Sequence, residues 1–148
     1  MRTTRRAAVL LALVAACLLA VTACSVPGGY SVAGLNKQPE AALTYPGSTD
    51  VQLRHSNGIR GNYVGKGGPA EVGLSGTTSA TPADVIAYYS GVLVSTGWTQ
   101  TQDDPRNTVY PGRISHLVVW VKGVLSYSII IWSDAAATKY DTNLESTA

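Results

Sequence analysis

The chain has 148 residues, of which 45% are hydrophobic and only 14% charged, with a formal charge of +2. That length suits one domain and is too short for two ordinary ones once a leader is set aside. The charges are scattered without a run of like sign, which excludes a basic nucleic-acid patch; Phe is absent, so Tyr, Trp, Val, Ile and Leu have to build the core.

Met1 to Arg6 is basic and free of acids, and Ala7 to Ala23 is apolar or small almost throughout. A charged start, an apolar run and a small-residue exit predict a secretory signal. Val21-Thr22-Ala23-Cys24 closes it, and this tetrad resembles the lipobox of bacterial lipoproteins: an aliphatic residue, two small residues and a cysteine. The resemblance implies a diacylglyceryl thioether on Cys24 and cleavage between Ala23 and Cys24. It also implies a protein anchored by lipid to the extracytoplasmic face of the cell membrane. Two acyl chains hold stably where one is marginal, because each buried CH₂ adds ~0.8 kcal/mol. Val14-Ala15-Ala16-Cys17 fits the same pattern, but using it would shorten the apolar region toward about 7 residues. The polar, glycine-containing stretch after Cys24 favours Cys24. An uncleaved membrane helix and plain secretion are the alternatives. Without residues 1–23, eight Lys and Arg face nine acids, so the mature charge is −1 and the basic balance belongs to the leader. Cys24 is then the only cysteine, and the domain is expected to fold without a disulfide.

Residues 24–42 read as a lipidated tether, because Pro27, Gly28, Gly29, Gly34 and Pro39 interrupt any periodicity. The domain proper is expected over 43–133. Tyr45-Pro46-Gly47-Ser48 is a turn signal. Val51 to His55 alternates like a half-buried strand, Asn57-Gly58 predicts a hairpin turn, and Ile59 to Val64 the returning strand. A third strand is expected from Glu71 to Thr78.

Residues 82–96 predict the one clear helix. Thr81 can cap it, Pro82 suits its first position, and Asp84 completes a variant capping box. Val85, Ile86, Tyr89, Val92, Leu93 and Thr96 share one face. Gly97 is the expected stop, with Trp98 packing back on Leu93 or Val92. Beyond it, Trp98 to Gln102 reads as a short strand and Asp103-Asp104-Pro105 as a turn. Ile114–Val121 and Val124–Trp132 read as a strand pair around Lys122-Gly123, with Val118 and Trp120 aligned to Tyr127 and Leu125. Leu117, Val119 and Val121 then share the second face of that hairpin, opposite Ser126 and Ser128. Asp134 to Ala148 is small and polar and reads as a flexible tail. The expected fold is α+β, in the order β-β-β-α-β-β-β, with an antiparallel sheet of five or six strands packed on the helix. The pattern Tyr88, Tyr89, Leu93, Gly97, Trp98 is similar to one in small uncharacterised bacterial secreted domains, a resemblance that implies no activity.

Catalytic chemistry has few candidates here. His55 is expected to be solvated near a turn, and His116 to sit at the core edge beside Val118 and Trp120. No Gly-x-Ser-x-Gly elbow, metal-ligand spacing, calcium loop or dinucleotide fingerprint is present, and Gly65-Lys66-Gly67-Gly68 reads as a hairpin loop, so neither an enzyme nor a cofactor is expected. One surface stands out: Ala87, Gly91 and Ser95 form a small-residue stripe on the helix's outer face, where charges are usual. Gly91 costs about 1 kcal/mol relative to Ala there, so the stripe is a candidate partner or self-association surface; cover by the tail is the plainer reading. The expectation for the whole chain is a lipid-anchored cell-envelope interaction module that contacts the membrane and an envelope protein or itself, not nucleic acid. The alternative is a lipoprotein holding a glycan or lipid between sheet and helix.

Overall fold

A computed structural model describes residues 30–57, 68–107, 114–134 and 136–147. The signal region, Cys24 and the strand expected over 59–64 lie outside these residues. A short helix α1 (Val32–Leu35) and a 3₁₀ turn (Pro39–Ala42) precede strands β1 (Thr49–Ser56) and β2 (Glu71–Thr78). Helix α2 (Pro82–Ser95) follows, then β3 (Thr99–Asn107), β4 (Ser115–Lys122), β5 (Leu125–Ser133) and β6 (Thr138–Ser146).

The six strands form one antiparallel sheet in the order β1-β2-β6-β5-β4-β3. The chain leaves β2, crosses along α2 to the far edge, and returns by three successive hairpins until β6 closes against β2. An α+β reading therefore holds at the level of a six-stranded antiparallel sheet with one long helix, and the domain is mostly sheet.

Helix α2 begins and ends as its sequence dictates. Thr81 Oγ1 accepts from the Asp84 amide at 3.2 Å while the Asp84 carboxylate accepts from the Thr81 amide at 3.3 Å, closing the capping box. At the other end Gly97 takes φ +90, a conformation only glycine adopts freely. The Trp98 and Gly97 amides then reach back to the Leu93 and Val94 carbonyls, so the last turn is satisfied. Val85, Tyr89 and Leu93 are buried.

One face of the sheet carries Val72 on β2, Tyr140 and Leu144 on β6, Tyr127, Ile129 and Ile131 on β5, and Val118 and Trp120 on β4, all buried in one core. Tyr89 meets Tyr127 at 6.1 Å and Tyr140 at 5.9 Å between ring centres, and Trp98 meets Tyr127 at 6.1 Å. Tyrosines and tryptophans thus fill the space that Phe would usually occupy.

The structure corrects four sequence expectations. Residues 134–148 are no tail: Thr138–Ser146 is β6, paired on both sides. Its inward positions include Thr138, Thr142 and Ser146, whose polarity hides the period-2 alternation. Residues 30–42 are no tether either. Leu35 is fully buried, Ala41 nearly so, and both join the core, forming a strap over β2 and β6. Asp103-Asp104-Pro105 does not turn but lies within β3, which stays paired to β4 through two register irregularities. Pro and charge suit such an edge strand. The β4–β5 register is also shifted: Trp120 faces Tyr127 and Val118 faces Ile129, with Lys122 opposite Leu125. Gly123, at φ +61, opens a two-residue loop with Val124.

Candidate interaction face

The second face of the sheet is built by the residues alternating with the core. On β4 it carries Leu117, Val119 and Val121, on β5 Ser126, Ser128, Ile130 and Trp132, all at least partly shielded. On β6 and β2 it carries Lys139, Asp141, Asn143, Glu145, Glu71 and Gly73, and on β1 Arg54 and Gln52. Among the described residues neither helix nor strap lies on this side. The face is therefore divided, half apolar toward β4 and half charged toward β1.

Gly73 shapes the charged half. Any β-carbon there would lie 2.1 Å from the Thr142 carbonyl oxygen, so β2 approaches β6 too closely for a side chain. On the core side, Thr142 Oγ1 accepts from the Leu74 amide at 2.9 Å and donates to the Leu74 carbonyl at 3.2 Å, standing in for ladder bonds. The missing side chain leaves a depression of about 260 Å³, lined by Arg54, Glu71, Ser128, Ile130, Asp141 and Asn143 among others. Arg54 spans it to reach Asp141 at 3.2 Å. Glu71 and Glu145 face each other directly across the β2–β6 pair. Partial burial, and secondarily Glu71, pushes the Glu145 carboxyl above the usual carboxylate range.

Along most of α2 the described side chains fill the space between helix and sheet. Tyr89, Tyr127, Tyr140, Trp98 and Trp120 are all buried there, and burial raises the Tyr89 and Tyr127 hydroxyls well above the ordinary tyrosine range, so both stay neutral. The shallow groove between the start of α2 and β4, about 530 Å³, is lined by Thr81, Pro82, Ala83, Ile86, Ala87 and His116.

The remaining candidates separate. His55 lies on exposed β1 at the rim of the Gly73 depression, and His116 packs its Nε2 against the Asp103 carboxylate at the β3–β4 edge. The two histidines therefore stand far apart in the strand order, His55 on edge strand β1 and His116 on β4 next to the other edge. Ala87, Gly91 and Ser95 do share the exposed side of α2, with open space beside Gly91. The C-terminal segment does not cover them, since it is β6. Among the described residues no group of three or more His, Cys, Asp or Glu converges as a metal site, and no helix is long and apolar enough to cross a membrane. Ala23 and Cys24 lie outside the described residues. Sequence reading found the apolar half of the face through the β4–β5 alternation. It missed the charged half, because that half depends on β6.

No known family, characterised protein or solved structure matches the chain.

Proposed function

We propose that this chain is a lipid-anchored cell-envelope protein, acylated on Cys24, that works without catalysis by binding another envelope protein through its open sheet face. One observation carries the reading: the core side is filled with aromatic rings while the opposite side offers an apolar strip, Leu117, Val119, Val121, Ile130 and Trp132, beside a charged border. Sheets are stable when apolar faces find a second layer, and a partner would supply it. Signal-like residues 1–23 and the lipobox support the anchored location.

The test is photo-crosslinking from position 119 in native membranes, followed by mass spectrometry. A reproducible partner, lost on Val119→Glu and on the mislocalised Cys24→Ser form, is expected. A blank, with the folded protein present on the membrane, would overturn the reading. A second reading, a small-ligand holder, is favoured only by the polar depression over Gly73, which offers Arg54, Asp141 and Asn143 to a polyhydroxylated ligand such as a glycan.

A further inference from the structure

Leu35 and Ala41 are core residues, so the chain from Ser31 onward belongs to the domain and cannot act as a stalk. Seven residue steps separate Cys24 from Ser31. Fully extended they span at most ~25 Å. Where Cys24 is acylated, the start of the strap at Ser31 is therefore held within ~25 Å of the lipid.

The strap's outer surface suits such a neighbour. From Tyr30 to Ser48 the only acid is Glu40, and it is 6% exposed, turned inward to accept the Trp98 indole N–H at 2.8 Å. The exposed charge on this stretch is Lys37, and Tyr30 is exposed as well. A cation attracts anionic headgroups, and a tyrosine prefers the boundary between apolar and wet surroundings. The other eight acids of the chain all lie beyond this stretch, five of them on β2, β3 and β6.

We propose that the strap, residues 30–42, is the surface this domain turns to the bilayer, so that the open sheet face looks away from it. The two sides follow from the sheet itself: the strap packs on β2 and β6, whose Val72, Tyr140 and Leu144 belong to the same core, and Glu71, Gly73, Asp141 and Glu145 alternate with them onto the opposite side. The inference rests on acylation of Cys24. It adds that a protein partner approaches from the envelope side and not from within the membrane.

The test uses the full acylated chain in vesicles of phosphatidylcholine and phosphatidylglycerol in equal parts, with an acceptor dye on the headgroups. Donor dyes go on Asn36→Cys in the strap or Gln52→Cys on the open face, both exposed positions. Energy transfer should be stronger from position 36 than from position 52. Lys37→Glu with Tyr30→Ser should shrink that difference, as should a long Gly/Ser insertion between Tyr30 and Ser31, while circular dichroism stays unchanged. Mass spectrometry of the N-terminal peptide reports the acyl group separately. An unacylated Cys24 with no transfer from either position would remove anchor and orientation together. An acylated Cys24 with equal or reversed transfer would overturn the orientation alone.

Discussion

The ring of Tyr140 lies over Gly76, its register partner on the neighbouring strand, so closely that a β-carbon on Gly76 would sit 2.6 Å from the tyrosine hydroxyl. The glycine leaves room for the ring to pass over β2 and reach the turn before β1. There the hydroxyl donates to Ser48 Oγ at 2.8 Å and accepts from the Tyr45 amide at 3.3 Å, while Ser48 Oγ donates to the Tyr45 carbonyl at 2.7 Å. A central strand thereby fixes the Tyr45–Ser48 turn, where Gly47 takes φ +76. That turn joins the strap to β1.

Gly76→Ala forces the ring up and breaks this network. Alanine would gain ~0.5–1 kcal/mol over glycine from chain entropy in a strand, but overpacking costs ~1–3 kcal/mol. A net loss in urea unfolding is expected. Tyr140→Phe alone should cost about 1 kcal/mol for the lost hydrogen bonds. The double variant should cost less than the two together, since the network can be broken only once. Strict additivity would mean that the two residues do not act through each other.

Glu40 holds the strap by a different bond. Its carboxylate accepts the buried Trp98 indole N–H, and Lys122, 4.0 Å away, adds an attraction weakened by its own half-exposure. Glu40→Ala leaves the indole donor without an acceptor, at a cost of ~1–3 kcal/mol. Glu40→Gln keeps an amide oxygen in place and should cost less. Hydrogen exchange over residues 31–43 should accelerate in the alanine variant and stay slow in the glutamine one. Equal exchange in both would assign the strap's hold to Leu35 and Ala41 instead.

These two contacts mark where sequence reading stopped. Helix α2 was legible to within a residue because each of its signals is local: Thr81, Asp84 and Gly97 act within one turn of themselves. The β4 and β5 strands were legible as two apolar runs parted by Lys122-Gly123, although their register was not. The strap was not, because its apolar residues form no regular period around Gly34 and Pro39, and Leu35 and Ala41 need β2 and β6 to bury them. Nor was β6, whose inward Thr142 earns its place by bonding Leu74 on another strand. The apolar half of the open face could thus be read, and the charged half around Gly73 could not.

Removal of residues 134–148 tests the place of β6 directly. A tail could be lost at little cost. A strand paired with β2 and β5 that buries Tyr140 and Leu144 cannot, because each such side chain contributes ~1.5–3 kcal/mol. Its loss also leaves β2 and β5 each without a partner on one side and splits the sheet in two. A typical domain has only about 5–15 kcal/mol of stability, so the truncated chain should lose its cooperative thermal transition by circular dichroism. A truncated chain that melts cooperatively would remove β6 from the fold.

Glu145 and Asp134 should give opposite responses to acid. The Glu145 carboxyl is raised in the folded state, by partial burial first and Glu71 second. Between its unfolded and folded values the native protein holds more protons, so this group's contribution falls as pH rises through that window. At neutral pH it is a small liability, and Glu145→Gln should stabilise by a few tenths of a kcal/mol. The gain should fade as acid protonates Glu145 itself, and Glu71→Gln should give a smaller gain, since Glu71 is the lesser cause. Asp134 is held down to about 2, by the Lys139 ammonium first and then the Ala136 and Ala137 amides. Its contribution is present above the ordinary carboxylate range and is lost as pH falls toward its folded value. Asp134→Asn should therefore flatten the acid side of the stability profile without changing the Glu145 effect. Urea midpoints taken from neutral pH down through the carboxylate range measure both. A Glu145→Gln gain that grows on acidification would reverse the sign argued here and place the carboxylate in a favourable pair.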